Sequence, residues 1–575
     1  MNKSASPPTP AIVTQEAVRS MPRWALVLLC VAYVLAGFLG REPWKAADIA
    51  SFGVMLELAA GRTAWFSPDL YGQALPLPGL LPYWLGAGAI QVAPSWLPAE
   101  VAARVPFGLL LALALLATWY GTYYLARLPA AQPVPFAFGG EANPVDYGRS
   151  MADGALLALI GMLGLAQLSH EVTSSAAQLG FSALLFYAVA ASWIRTWQPA
   201  LALVIASFGL ALSGAPAFGL AMACAGALAR VLGKLRLTPV HSDKPWLNAP
   251  RAAWLWAALI LGSGIAAALL AQALGQWRAG MGTLPTSMSD WKRLTQLWVW
   301  FTWPAWPLAV LALWRWRKWL LSLHIAWPLA ALLVMMGATI LRPGADRTLL
   351  LALPALACLA AMALPTLHRS ISALVDWFTL LFFTACSLMI WGVYLSIHTG
   401  VPAKPAQNVA RLLPGFESQF SWVTLLMALL ATAAWVGVMV WRVGRHRSAL
   451  WKSLVLPAMG TVVSWVLLST LWMPILNQGR SYAPTAARVQ SFMQQQGLQP
   501  TECVSGTSLT AAQQVALRFH AKLILRQTAN NCRFMVGDAD ALRAVSLPQW
   551  QALQSFRRRG SADSETLVVF KRVEQ

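Results

Sequence analysis

Long apolar segments follow one another along the chain until about residue 475, separated by short polar stretches. A helix needs about 20 apolar residues to cross the hydrocarbon core of a bilayer, so segments of this length predict membrane spans. Thirteen such segments lie at about 24–40, 104–126, 152–169, 176–194, 199–213, 216–230, 252–275, 294–314, 319–341, 348–367, 372–397, 421–441 and 453–474. We therefore expect residues 1–475 to form an α-helical bundle of about 13 transmembrane helices.

The pattern changes from residue 476 onward, where helix-like and strand-like runs are short and mixed. Helical periodicity covers 485–495 and 508–520, and apolar strands are predicted at 522–525, 534–536 and 566–570. This mixture predicts a small α/β domain over residues 476–575.

The six cysteines divide between these two regions. Four lie in apolar segments, and Cys503 and Cys532 are the two in the tail. Disulfides form in oxidising compartments outside the cytoplasm, so a Cys503–Cys532 bridge is expected if the tail lies on the outer side. The alternative is two buried free thiols.

Composition excludes a soluble globule, because 58% of the residues are hydrophobic and only 11% are charged. The formal net charge of +21 does not indicate nucleic-acid binding, since the basic residues are spread over the ends of apolar segments and form no basic face. Basic clusters fall on alternate loops, which predicts a cytoplasmic N-terminus and an outer location for the C-terminal domain. The first apolar segment follows Arg19 and Arg23 and is interpreted as a retained signal anchor rather than a cleaved peptide.

The first outer segment, residues 41–103, contains the first candidates for chemistry. Apolar stretches at 47–60 and 80–90 are interpreted as helices lying along the membrane surface. Glu42 and Asp48 begin this segment, and His170 and Glu171 occupy the short outer turn after the third span. Ionisable groups near the hydrocarbon are costly, so they favour a pathway or a catalytic site. The alternative is a helix cap at Glu42 and a solvated turn at Glu171.

Basic residues on the outer side are the second group of candidates, because they depart from the positive-inside rule. A phosphate-bearing lipid is one reason to place cations there. The turn from Leu341 to Arg347 carries two arginines in a tight loop. Ordinary anchoring to lipid headgroups is the alternative interpretation. The outer basic residues are Lys45, Arg62, Arg278, Lys292, Arg293, Arg342 and Arg347.

Motifs of soluble enzymes are missing from the sequence, which has no phosphate-binding loop, dinucleotide glycine motif, zinc-ligand spacing or nucleophile elbow. Internal repeats, which secondary transporters tend to show, are not evident either.

The order of these elements resembles the bacterial GT-C glycosyltransferases that use polyprenyl-phosphate sugars, a group that includes lipid A aminoarabinose transferases and protein O-mannosyltransferases. The resemblance covers nearly the whole chain. In that family an Asp-Glu pair and a surface helix open the first outer loop, where this chain has residues 45–50. Further similar stretches are Gly61-Arg62-Thr63-Ala64-Trp65-Phe66-Ser67-Pro68, Leu81-Pro82-Tyr83-Trp84, Ala103-Arg104-Val105-Pro106, Leu212-Ser213-Gly214-Ala215-Pro216 and the segment from Arg347 to Pro354.

Three charged positions of the family are neutral in this chain. Ala47 stands at the family's first Asp, while Pro78 and Gly214 stand at two of its lysines. Asp48 stands at the family's Glu. Either other residues have taken over these roles, or catalysis has been lost.

The resemblance implies an inverting sugar transfer from an undecaprenyl-phosphate donor to a lipid or glycan acceptor at the periplasmic face of a bacterial inner membrane. Asp48 is the expected base, with Glu42 as the second choice, and Glu171 is expected to orient groups or, with Asp48, to hold a divalent metal ion. Arg347 and Arg342, supported by Lys45 and Arg62, would bind the donor phosphate, and His170 would lie in the same cavity. The expected partners are the lipid donor, the acceptor and membrane lipids. A non-catalytic lipid-glycan binding or scaffold protein and a lipid or glycan transporter are the alternatives.

Overall fold

The structure is a computed structural model. It describes residues 9–234, 247, 249–277, 285–341, 346–443, 449–526, 532–538, 549–558 and 565–573.

Twenty-one α-helices occur in the described residues, and every one of the thirteen predicted apolar segments coincides with helical structure. The helices are α1 Arg23–Ala36, α2 Lys45–Ala59, α3 Leu81–Val92, α4 Ala99–Ala126, α5 Pro144–Gly161, α6 Leu163–Leu168, α7 Ser174–Ala191, α8 Trp197–Leu212, α9 Pro216–Lys234, α10 Pro250–Ala273, α11 Met288–Phe301, α12 Ala305–Arg315, α13 Leu323–Leu341, α14 Leu353–Ala363, α15 Arg369–Thr399, α16 Ala403–Leu412, α17 Trp422–Val443, α18 Val455–Leu471, α19 Met473–Arg480, α20 Ala483–Gln495 and α21 Ala511–Phe519.

Nine helical segments of the described chain are long and apolar enough to cross a membrane, and α11 with α12 makes a tenth if this pair, bent by 91°, is one span. The predicted bundle is therefore confirmed as a class, whereas the number thirteen stays a prediction. The segment Arg347–Thr366, which includes α14, is 89% buried, while α17 is only 11% buried. The bundle thus has a central helix surrounded by others and a peripheral helix whose apolar surface needs lipid.

The first outer segment packs between the bundle and the tail. It contains α2, α3 and a small hairpin of β1, Asp69–Leu70, and β2, Gln73–Ala74. Helix α2 contacts both α3 and α21 of the tail. Gly53 allows this approach, because a Cβ atom at that position would lie 2.2 Å from a methyl carbon of Val515.

The tail has the predicted α/β character. Its sheet has the order β4-β3-β5-β7-β6, in which β3 pairs in parallel with β4 and β5, and β7 pairs antiparallel with β5 and β6. The strands are β3 Cys503–Thr507, β4 Ile524–Arg526, β5 Phe534–Asp538, β6 Trp550–Arg557 and β7 Thr566–Arg572. Cys503 and Cys532 are joined by a disulfide, with their Cα atoms 5.3 Å apart. This bridge ties the start of β3 to the chain just before β5.

Candidate functional site

Asp48 lies in the first turn of α2 and is almost completely buried. Its Oδ2 accepts hydrogen bonds from the guanidinium of Arg41 at 3.1 Å and from the backbone N–H of Trp44 at 3.0 Å. Its Oδ1 accepts one from the backbone N–H of Val172 at 2.9 Å. Both oxygens of this carboxylate are therefore engaged inside the protein.

Glu171 lies in the turn between α6 and α7 and is fully buried. Its Oε2 accepts hydrogen bonds from Nε and Nη2 of Arg347, at 3.1 and 2.7 Å. Arg347 lies at the start of the 3-10 helix Asp346–Ala352, and its side chain is 27% exposed. Glu171 and Arg347, which the sequence proposes for separate roles, therefore form an ion pair. Arg342, the second arginine of that loop, lies outside the described residues.

A second arginine reaches this ion pair through Gln167. The Gln167 amide nitrogen is 3.5 Å from Glu171 Oε1, and its amide oxygen accepts a hydrogen bond from Arg480 at 2.9 Å. Burial, together with the positive charge of Arg41, lowers the pKa of Arg480, while Glu171 raises it. Arg480 lies at the end of α19, so the tail connection supplies a cation that sequence reasoning missed.

Arg41 connects the first outer segment to the turn at residue 170. Its Nη1 donates to the carbonyl oxygen of His170 at 2.9 Å, and its guanidinium lies 4.5 Å from the ring centre of Trp44. Arg104 of α4 donates in turn to the carbonyl oxygen of Arg41. We name Arg41, Asp48, Arg104, Glu171, Arg347 and Arg480 the rim cluster. It brings together residues from five distant parts of the chain.

His170 packs inside the protein rather than facing a cavity. Its ring lies against Tyr33, Phe38 and Trp465, and its Nε2 is 3.0 Å from the carbonyl oxygen of Tyr33. Burial lowers the pKa of His170 to about 4, so the imidazole is neutral at physiological pH. The ring occupies the space that a Cβ atom at Gly37 would need, since such an atom would lie 2.2 Å from Cδ2 of His170. We therefore assign His170 a role in packing.

Glu42 lines a cavity of about 600 Å³ that several polar side chains share. Its Oε2 is buried and has no hydrogen-bond partner within the part of the chain that the structure describes. Asn477 holds the backbone here, accepting from the Glu42 N–H at 3.2 Å and from the Trp44 indole at 2.8 Å. A second carboxylate, Glu417, lines the same cavity and was not among the predicted residues. The other polar side chains around it are Thr424, Ser469, Thr470, Asn477 and Gln478.

Of the remaining predicted phosphate ligands, Arg62 has a described side chain, and within the described part of the chain it makes no contact with the rim cluster. Arg62 forms an ion pair with Glu57 at 2.6 Å, and its side chain is 60% exposed. Lys45 begins α2, and its side chain is outside the described part. Arg278 likewise lies outside the described residues.

The two carboxylates predicted as metal ligands do not fit a metal ion well. N–H donors occupy both oxygens of Asp48, and Glu171 is neutralised by Arg347. Within the described ranges no group of three or more His, Cys, Asp or Glu side chains is arranged to hold a metal.

Two substituted motif positions, Pro78 and Gly214, meet in the structure. Gly214 has a left-handed backbone with φ of +88°, and a Cβ atom there would lie 2.1 Å from the carbonyl oxygen of Pro78. The contact leaves no space for a lysine side chain at position 214 without movement of the backbone.

This architecture defines a class of membrane protein: the chain has the GT-C fold, with a helical bundle, a structured segment at residues 41–103 and a small C-terminal sheet. Among solved structures it is similar to ArnT, the lipid A aminoarabinose transferase, from Cupriavidus metallidurans. The match to ArnT bound to undecaprenyl phosphate has a TM-score of 0.57 at 14% identity and covers 96% of this chain and 98% of that one. The match to apo ArnT has a TM-score of 0.58, also at 14% identity, and covers 95% and 98%.

A third solved structure, the Archaeoglobus fulgidus oligosaccharyltransferase, matches with a TM-score of 0.41 at 12% identity over 90% of this chain and 69% of that one. No protein-family model and no curated protein matches the sequence.

Proposed function

We propose that this protein transfers a sugar from an undecaprenyl-phosphate donor to a hydroxyl or phosphate group of a lipid or glycan acceptor. The reaction would take place at the periplasmic face of a bacterial inner membrane. The similarity to ArnT, solved with undecaprenyl phosphate bound, supports the lipid donor.

The observation that carries this proposal is the rim cluster together with the cavity beside it. Arg41 and Asp48 contact the turn at residues 170–172, and Glu171 in that turn binds Arg347. Glu42, the neighbour of Arg41 in the chain, lines the cavity. The carboxylate proposed to act on the acceptor is thus linked through Arg41 and the turn at residues 170–172 to Arg347, a cation proposed to bind the phosphate.

The geometry favours Glu42 over Asp48 as the base. A general base must reach the proton that it removes, and both oxygens of Asp48 are already bonded inside the protein. The Glu42 side chain lines the cavity, and although its Oε2 atom is buried, no hydrogen-bond donor of the described chain occupies that atom. We therefore assign Asp48 to holding the first outer segment in place, and Glu42 to deprotonating the acceptor.

The proposed step is a single displacement at the anomeric carbon of the donor sugar. The acceptor oxygen forms a bond to this carbon as its proton passes to Glu42, and the bond from the carbon to the phosphate oxygen breaks. The electron pair leaves with undecaprenyl phosphate. Arg347 and Arg480 would stabilise the leaving phosphate, because guanidinium groups in a partly buried site bind phosphate oxygens strongly.

An apolar cavity of about 250 Å³ would take part of the prenyl chain. It lies between α11, α12, α13 and the 3-10 helix Asp346–Ala352, and Leu349 lines it two residues after Arg347. Its lining is apolar throughout apart from Thr295 and Thr302. A hydrocarbon chain entering here would leave its phosphate near the cations of the rim cluster.

The test measures undecaprenyl phosphate released from two donors, undecaprenyl-phosphate aminoarabinose and undecaprenyl-phosphate mannose, by membranes containing the protein. We expect release from at least one donor, and a loss of about 10²–10⁴-fold in Glu42→Gln, the usual contribution of a general base. Glu502→Gln is the matched control, because this carboxylate lies in the tail and accepts a hydrogen bond from the nearby backbone N–H of Gln499. Full activity in Glu42→Gln would overturn its role as the base.

A second candidate is a non-catalytic protein that binds lipid-linked glycans on the same fold. The contact between Pro78 and Gly214 favours it, because one position that carries a lysine in the family cannot hold one here. Such a protein would bind undecaprenyl phosphate and release none from either donor. A transporter is less well supported, since the cavity lined by Glu42, the apolar cavity lined by Leu349 and a third cavity beside α1 share no lining residue.

A further inference from the structure

A long groove runs along α1, between this helix and helices α4 and α5. Its volume is about 620 Å³, and its exposed lining is mainly apolar. None of its residues lines the cavity of Glu42 or the apolar cavity near Arg347. The apolar walls are formed by Leu26, Val27, Val31 and Leu35 on one side and by Leu115 and Leu116 on the other.

Charged residues lie at one end of this groove. Arg23, the first residue of α1, and Arg149 of α5 both line it; Arg23 is exposed, and the side chain of Arg149 is 43% exposed. Arg149 has a loose contact with Asp146, at 3.7 Å. The groove end therefore has two guanidinium groups that an anion can reach.

Asp153 also lines this end, but its carboxylate is buried and occupied. One oxygen accepts from the backbone N–H of Met21 at 3.1 Å, and the other accepts from the indole of Trp119 at 2.8 Å. These bonds fix the start of α1 against α4 and α5. Asp153 is therefore part of the groove wall. Because both of its oxygens already accept hydrogen bonds, neither is free to bind Arg23 or Arg149 in place of a ligand.

The length of the groove fits a lipid chain in one leaflet. Arg23 and Leu35 are twelve residues apart on α1, which corresponds to roughly 18 Å along a helix. Half of a hydrocarbon core of about 30 Å is about 15 Å. A ligand with its charge at Arg23 would thus place its hydrocarbon along the groove and end near the middle of the bilayer.

We infer that this groove is a binding site for an anionic glycerophospholipid, with its phosphate at Arg23 and Arg149 and an acyl chain along α1. Two cations at one end and an apolar wall of one-leaflet length match the two parts of such a molecule. The basic-loop pattern predicts that this end of α1 faces the cytoplasm, so the lipid would come from the inner leaflet. The site is separate from the proposed sugar transfer and does not depend on it.

Native mass spectrometry of the full-length protein, delipidated in detergent and then given phosphatidylglycerol or phosphatidylcholine, tests this inference. We expect the wild type to retain phosphatidylglycerol with at least about tenfold preference, the size expected for a charge-assisted contact. Arg23→Gln with Arg149→Gln should remove this preference. Arg369→Gln should keep it, because Arg369 is an exposed arginine at the start of α15, outside the groove.

A second variant blocks the apolar part of the groove and leaves both arginines in place. Ala112 is exposed and lines the groove, so Ala112→Phe would fill the apolar part without replacing a buried residue. We expect this variant to lose bound phosphatidylglycerol even though both arginines remain. Equal retention in the wild type, the double arginine variant and Ala112→Phe would overturn the inference. A wild type that prefers undecaprenyl phosphate to phosphatidylglycerol at this groove would overturn it as well.

Discussion

The carboxylate of Asp48 accepts a hydrogen bond from the backbone N–H of Val172, although the two residues are 124 positions apart in the chain. Arg41 strengthens the same connection, since it bonds to Asp48 and to the carbonyl oxygen of His170. The first outer segment is thereby fixed to the turn that carries Glu171. This relationship makes Asp48 a structural residue of the proposed site.

Replacing Asp48 with Asn should therefore destabilise the protein. The variant removes the negative charge and leaves Arg41 buried beside a neutral amide, a change that typically costs about 3–5 kcal/mol. Thermal unfolding in detergent is the measurement. Asp290→Asn is the control, because Asp290 belongs to the capping box at an exposed helix start, where a smaller loss is expected. Equal melting of Asp48→Asn and wild type would contradict a structural role.

Glu171 and Arg347 should respond differently to neutralisation. Arg347→Gln leaves the fully buried Glu171 without its ion-pair partner, with an expected loss of about 3–5 kcal/mol. Glu171→Gln should cost less, because Arg347 is partly exposed to solvent. Thermal unfolding gives these stabilities.

Binding of undecaprenyl phosphate to the same two variants checks the proposed donor role. Glu171→Gln should retain binding, and Arg347→Gln should weaken it. If the two single variants weaken binding equally, the ion pair affects binding only by stabilising the fold.

The membrane part of the fold could be predicted from the sequence because apolar length is a direct requirement of the bilayer. The tail was harder. Strands β3 and β6 were not predicted, since Cys503–Thr507 is short and contains Ser and Gly, and Trp550–Arg557 has mostly polar residues. In β6 the burial pattern shows mainly exposed positions, so the strand is held by pairing with β7 rather than by apolar alternation.

The candidate site was only partly predictable for a different reason. Glu42, Asp48, Glu171 and Arg347 lie at the ends of apolar segments, where a costly charge is visible in the sequence. Their pairing depends on contacts between distant residues, so sequence reasoning could not tell that Asp48 would be enclosed. Glu417 and Arg480 belong to polar stretches of the sequence, where a charged residue does not stand out. Arg104 could have been recognised, because it lies inside a helix that is long and apolar enough to cross the membrane.

Gly53 should be essential for the docking of the tail on α2. Adding one methyl group in Gly53→Ala would clash with Val515 of α21 and is expected to cost about 1–3 kcal/mol through overpacking. Gly88→Ala is the matched control, because a Cβ atom there meets nothing within 4 Å and alanine favours its helix. Limited proteolysis between bundle and tail, with thermal unfolding, provides the measurement. Val515→Ala should rescue Gly53→Ala, and absence of rescue would contradict this contact.

The disulfide between Cys503 and Cys532 should be detectable by counting thiols. The protein has six cysteines, so denaturation without reductant should expose four reactive thiols and denaturation after reduction should expose six. Loss of the bridge in Cys503→Ser with Cys532→Ser should destabilise the tail by about 3–4 kcal/mol, the chain-entropy estimate for a sequence separation of 29 residues. Six thiols before reduction would show that the tail keeps both in reduced form.

His170 should make the stability of the protein depend on pH. Burial lowers the pKa of His170 to about 4 in the folded protein, with a further lowering from Arg41, whereas the unfolded chain has the ordinary value of 6.5. Between these values the unfolded state binds more protons, so the stabilising contribution is present above about pH 6.5 and is lost as the pH falls toward 4. Melting temperatures measured across this range should therefore fall more steeply for the wild type than for His170→Asn, which has no group titrating there. His520→Asn, in the tail, provides a comparison with a histidine whose pKa is also lowered by burial but which lies apart from the rim cluster. Parallel profiles for wild type and His170→Asn would mean that the imidazole is not kept neutral by its position between Tyr33 and Trp465.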